Sequence, residues 1–183
     1  MGQPRLNLKN VTGLLVDRDA FTRGLIAQML RGFGIEKLMI AGTGAEAKTM
    51  IAGNCPDICF VEGALEDMGT ADFIGWIRRQ TSQALRFMPV IVLTGYTQLR
   101  LIAAARDGGA HIVVRKPISP QTLFDRINWV ARVSRPFLET PGYIGPDRRF
   151  HSIDPPDEKW KRATDTPSQA PAPSQAEATA QAS

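Results

Sequence analysis

The sequence predicts an α/β protein: a doubly wound, five-stranded parallel sheet with a disordered C-terminal tail. Two observations carry this. Five short apolar runs recur between residues 10 and 133, and the cores of four of them are nearly continuous in apolar residues, as in strands covered on both faces. Each run is followed by a longer stretch with apolar residues at helical spacing, and strands alternating with helices in this rhythm form crossover units on a parallel sheet.

The first strand is "TGLLVD" (12–17), and the helix after it (20–33) takes Asp19 as N-cap and sets Leu25, Met29 and Leu30 at helical spacing. "KLMIAG" (37–42) is the second strand. Thr43, with Glu46 three residues on, is a capping-box signature for a helix that stops at Gly53. "DICFVE" (57–62) is the third strand, and a helix from about Thr70 turns Phe73, Ile74 and Ile77 inward. "PVIVLTG" (89–95) is the fourth strand, followed by a helix over 97–107 that ends at the glycine pair 108–109. "HIVVRK" (111–116) is the fifth. Ser119 then caps the last helix, Pro120 takes its first position, and Leu123, Ile127 and Val130 face inward. Residues 1–9 read as a lead-in to this 10–133 domain. Residues 134–162, rich in proline, basic residues and scattered aromatics, read as an extended segment; residues 163–183 are low-complexity, without large apolar residues, and read as disordered.

The 183 residues suit one domain plus an appendage, and 43% apolar content supports a real core. A net charge of +4 permits contact with nucleic acid without demanding it. Cys55 and Cys59 lack the second half of a zinc site and read as reduced thiols, which fits a cytosolic compartment. The N-terminus has no secretory signal, Leu6 breaks a myristoylation pattern, and no apolar stretch approaches the roughly 18 residues of a membrane span. A cytoplasmic protein without membrane contact is the expectation.

In such a sheet, ligands sit beyond the carboxyl ends of the strands. The first strand delivers Asp17, Arg18 and Asp19 there, the third Glu62, the fourth Thr94, and the fifth Lys116 and Pro117. Acids that can hold a divalent cation, with a hydroxyl and an ammonium that can meet phosphoryl oxygens, form a layout for phosphate chemistry.

In this order and at these separations, "LLVDRD" (14–19), "DICFVE" (57–62), "VIVLTG" (90–95) and "DGGAHIVVRKPIS" (107–119) make the chain resemble the receiver domains of bacterial two-component response regulators, over roughly residues 10–133. The resemblance implies the flavodoxin-like, CheY-like fold. It maps the family's acidic pair onto Asp17 and Arg18, its phosphoacceptor aspartate onto Glu62, its hydroxyl onto Thr94, its Lys-Pro pair onto Lys116 and Pro117, and its switch aromatic onto Val113. Three of these positions depart from the family pattern: Arg18 replaces an acid, Glu62 replaces aspartate, and Val113 replaces an aromatic ring.

The departures imply a pocket that does not follow the usual cycle. Two acids, Asp17 and Glu62, balance two cations, Arg18 and Lys116, if Arg18 turns inward, and both acids then stay ionised. Weak or absent Mg²⁺ binding is expected, because an arginine near the cation position repels it and one carboxylate is lost. The extra methylene of Glu62 moves its carboxylate outward by about 1.5 Å. Glu62 then either mimics phosphoaspartate imperfectly or serves as a structural partner of Lys116. The chain therefore reads as a stand-alone, phosphorylation-independent signalling protein, not an enzyme, with no cofactor. Its partner would be a protein, such as a histidine kinase, a phosphotransfer protein or another regulator. Resemblance places the partner face on the fourth helix, fifth strand and fifth helix, with Tyr96, Arg100 and Arg106 as contacts, and Arg148 and Arg149 adding to them from the C-terminal segment. The sequence sets no oligomeric state. Two alternatives stand beside this reading: a phosphorylatable receiver using another carboxylate, and a nucleic-acid-binding regulator acting through the basic segment.

Overall fold

The computed structural model describes residues 7–95, 99–133 and 135–148. Five parallel strands, β1 (Thr12–Val16), β2 (Lys37–Ala41), β3 (Ile58–Glu62), β4 (Val90–Thr94) and β5 (Ile112–Arg115), pair in the order β2-β1-β3-β4-β5. The order reverses after β2, which opens a crevice between β1 and β3 at the carboxyl edge. Among the described residues six helices connect or follow the strands: α1 (Ala20–Gly32), α2 (Gly44–Gly53), α3 (Thr70–Arg78), the single-turn α4 (Gln83–Arg86), α5 (Leu99–Asp107) and α6 (Pro120–Arg132). Among the described residues the predicted strands and long helices form, with ends shifted by a residue or two; the predicted start of the fourth helix, at 97, lies outside the described residues. The single-turn α4 has no counterpart in the sequence reading.

Strand alternation sorts the core into two layers. Leu14, Val16, Cys59, Val61, Val90 and Val92 face α2, α3 and α5, while Leu15, Phe60, Ile91, Leu93 and Val114 face α1 and α6. Leu8, in the predicted lead-in, is buried in the second layer. The caps are those the sequence marks: Asp19 accepts from Thr22 N, Thr43 from Glu46 N, and Ser119 from Thr122 N. Among the described residues no helix is long and apolar enough to cross a membrane.

The segment after α6 differs from the expectation of an extended chain. β6 (Phe137–Thr140) and β7 (Tyr143–Pro146) form an antiparallel hairpin around a Pro-Gly turn, in one compact unit with the sheet. The physical reason lies beneath it. Arg78, at the end of α3, is buried and donates to the carbonyls of Gly109 (2.8 and 3.1 Å), Arg86 (2.9 Å) and Met88 (2.8 Å), and its guanidinium lies 5.2 Å from the Phe137 ring. Phe137 also meets Phe87 edge-on at 4.9 Å, and Glu139 pairs with Arg86 at 2.8 Å. The hairpin thus closes the amino edge of β4 and β5 over a cation that has no carboxylate partner among the described ion pairs. Residues 149–183, with the predicted disordered tail, lie outside the described residues.

Candidate functional site

β1, β3, β4 and β5 deliver four predicted residues to one pocket. Asp17, Glu62 and Thr94 are all buried, because each sits at or just past the last residue of a strand covered on both faces. Lys116 reaches across from the end of β5, with Nζ 2.6 Å from Asp17 Oδ2 and 3.3 Å from Glu62 Oε1. Its backbone N donates to the Thr94 carbonyl at 2.7 Å, and a cis Lys116–Pro117 bond follows.

Asp17 is held on every side. Its Oδ1 accepts from Asp19 N at 2.9 Å, its Oδ2 from Lys116, and its carbonyl from Arg23 Nη1 at 2.5 Å. Asp19 itself is occupied as the α1 cap, and its hydrogen bonds from Thr22 hold its carboxyl below the usual range. Glu62 is pushed the other way, up to about 7. Burial is the main cause; a hydrogen bond with Asp17 adds to it, and Lys116 opposes it. Two carboxyls can share a hydrogen bond only if one carries a proton. Glu62 therefore keeps its proton up to near neutrality, beside Asp17 and under Lys116.

This corrects the charge balance read from the sequence. Arg18 does not supply the second cation: it is 39% exposed at the rim, 4.0 Å from Glu66 of the β3–α3 loop. The end of β1 leaves a long side chain room to reach solvent, where a guanidinium keeps its hydration. Glu62, raised to about 7 mainly by burial, is not held ionised as that balance required.

The donor set does not fit Mg²⁺, a small ion that demands near-octahedral oxygen ligation. Lys116 already sits on the facing oxygens of Asp17 and Glu62, Asp19 caps a helix, and no group of three or more His, Cys, Asp or Glu among the described residues converges as metal ligands.

Several residues that shape the site were missed in the sequence. Gly63 presses against Thr94, and a Cβ there would overlap the Thr94 hydroxyl. Thr70 Oγ1 donates to the Glu62 carbonyl at 2.8 Å and ties α3 to the end of β3. Asp67 accepts from Gly44 N (2.9 Å) and Ala45 N (2.8 Å), so the β3–α3 loop caps α2, and these bonds lower its carboxyl pKa. Arg78, which anchors the opposite edge of the sheet, was also missed though it had a signal: it falls four residues after Ile74, on the buried face of α3.

The other predicted positions scatter. Val113 is half-buried against the layer that holds α5. Arg100 and Arg106 lie on the outer face of α5, with Arg106 3.9 Å from Asp107. Arg148 turns back onto its own domain, stacking on Tyr143 at 3.8 Å and pairing with Asp107 at 2.6 Å, so it is engaged within the chain and does not extend outward. Tyr96 and Arg149 lie outside the described residues. His111 is structural: Nδ1 accepts from Val90 N at 3.2 Å beside Arg78, and burial lowers its pKa to about 3. Burial pushes the Cys59 thiol up to about 12, which leaves it inert.

Comparison with known proteins adds a family to this geometry. A family model described as the response regulator receiver domain matches residues 14–128. The transcriptional regulatory protein PdtaR of Mycobacterium tuberculosis is 31% identical over 114 residues, which take in 62% of this chain and 53% of PdtaR. The DNA-binding response regulator MtrA of the same species is 28% identical, over 67% of this chain and 50% of MtrA. The chain thus spans about half the length of the curated relatives it matches. The chemotaxis response regulator CheY4 of Vibrio cholerae superposes with a TM-score of 0.60 at 23% identity, covering 66% of this chain and 98% of CheY4, which supports the shared fold.

Proposed function

Because this chain belongs to the response regulator receiver family, we propose that it is a two-component signalling protein whose pocket is not switched by phosphorylation and whose output is contact with a protein partner. One observation carries the reading: Lys116 lies 2.6 Å from Asp17 and 3.3 Å from Glu62, so the lysine occupies the oxygens that a cation and a phosphoryl group would otherwise share. Phosphoryl transfer rests on in-line positioning and on cation stabilisation of the transferring group. A longer acid that keeps its proton near neutral pH is a poor nucleophile, and this donor set gives Mg²⁺ no seat. Of the two roles for Glu62, the proton favours the structural one, since a neutral carboxyl is a weak substitute for a dianionic phosphoryl group.

The test is incubation with acetyl phosphate and Mg²⁺, read by intact mass. The wild-type chain is expected to gain no phosphoryl group, while the double variant Arg18→Asp, Glu62→Asp gains one. Labelling of the wild-type chain, abolished by a single carboxylate change, would overturn the proposal.

A second reading, regulation through nucleic acid, draws on the DNA-binding relative MtrA and on the basic residues of 134–162. Salt-dependent retention of duplex DNA by the full chain would support it; no retention at low salt would remove it.

A further inference from the structure

α5 is the long helix with the fewest buried residues. Of its residues only Ala105 is buried, and Leu99 at its first position is 82% exposed, whereas α3 buries five residues and α6 four. Hydrophobic burial is the dominant force that docks a helix, so α5 owes less of its position to the core than its neighbours do.

Its C-terminal end is held from another direction. Arg148, just beyond the hairpin, donates to Asp107 at 2.6 Å while stacking on Tyr143. Gly109, which follows the helix with φ +99°, lies against β7 so closely that a Cβ there would fall 2.6 Å from the Ile144 carbonyl. Gly145 answers it from the other side: a Cβ on that residue would fall 2.8 Å from Gly109 Cα. Arg78 fixes the Gly109 carbonyl from below with two donors. Two glycines, in different elements, thus allow backbone to meet backbone at the point where α5 ends.

We propose that the β6–β7 hairpin is a latch on α5: it pins the C-terminal end of the helix against α3 through the Arg148–Asp107 pair and the Gly109–Gly145 contact, and its opening frees α5 while the sheet stays folded. The space that opening would enlarge already exists as a cavity of about 380 Å³ between α3, α5 and the hairpin, bordered by Gly75, Arg79, Ala104, Asp107, Thr140 and Tyr143. None of these contacts involves Asp17, Glu62 or Lys116. The latch therefore stands or falls independently of how the acid pocket is read, and it adds control over the helix that carries Arg100 and Arg106.

Amide hydrogen exchange on the full chain, resolved by peptide, tests the latch in Arg148→Ala and Phe137→Ala. Arg148→Ala is the deciding variant because it touches only the rim. The expected result is exchange about tenfold faster in peptides covering residues 99–107, with β1 and β3 unchanged. Phe137→Ala should produce the larger effect in the same peptides. Unchanged exchange over 99–107 in Arg148→Ala would overturn the latch. So would an acceleration shared equally by β1 and β3, which would make the hairpin part of the global core.

Discussion

At the scale of single residues, the pocket turns on one proton. Glu62 carries a carboxyl raised to about 7, so the folded protein holds that proton more tightly than the unfolded chain does. The resulting stabilisation is fully present below the ordinary carboxylate pKa and is lost as pH rises through about 7. Glu62→Gln, uncharged at every pH, removes this dependence. The thermal midpoint of the wild type minus that of Glu62→Gln is therefore expected to fall as pH goes from about 5 to about 8. A flat difference would show that Glu62 is ionised throughout. The residues of the pocket were legible because strand ends announce themselves; the proton and the outward turn of Arg18 were not. Both depend on how deeply a position is buried and on which neighbours tertiary packing brings near, and the sequence order around Asp17 or Glu62 records neither.

Among the elements, those with strong periodicity and caps were readable: Thr43, Asp19 and Ser119 cap the helices assigned to them, and the five apolar runs became the five strands. The β6–β7 hairpin was not. Its strands are four residues each, β6 is mostly exposed, and its anchors, Arg78, Gly109 and Phe87, come from distant parts of the chain. The Pro-Gly turn was the local hint, too weak by itself. Asp67 shows another kind of hidden support, a loop acid that caps a helix from outside. Asp67→Ala is expected to destabilise the domain by about 1 kcal/mol, as a lost N-terminal cap does, measured by urea unfolding. Because backbone hydrogen bonds lower its pKa, that contribution is present above the ordinary carboxylate pKa and fades as pH falls below it. An equal wild-type and variant midpoint at neutral pH would show that α2 is capped by water just as well.

Across the whole molecule, the two edges of the sheet have separate tasks. The carboxyl edge holds Asp17 and Glu62 under Lys116, and the amino edge of β4 and β5 is sealed by the hairpin over Arg78. A ligand that binds only the native state raises global stability by mass action. With no seat for the ion, about 10 mM Mg²⁺ is expected to leave the thermal midpoint of the full chain unchanged beyond a small general salt effect, matched by Ca²⁺. A rise specific to Mg²⁺ would show that Lys116 yields the site. The contrast between the two cysteines has a practical consequence. Cys59 is sealed within β3, while Cys55 lies open on the loop that leads into the same strand. A maleimide dye should therefore attach once, at Cys55, without mutagenesis. It would sit about 20 Å along the strand from Glu62, a ready-made reporter position that leaves the crevice unlabelled.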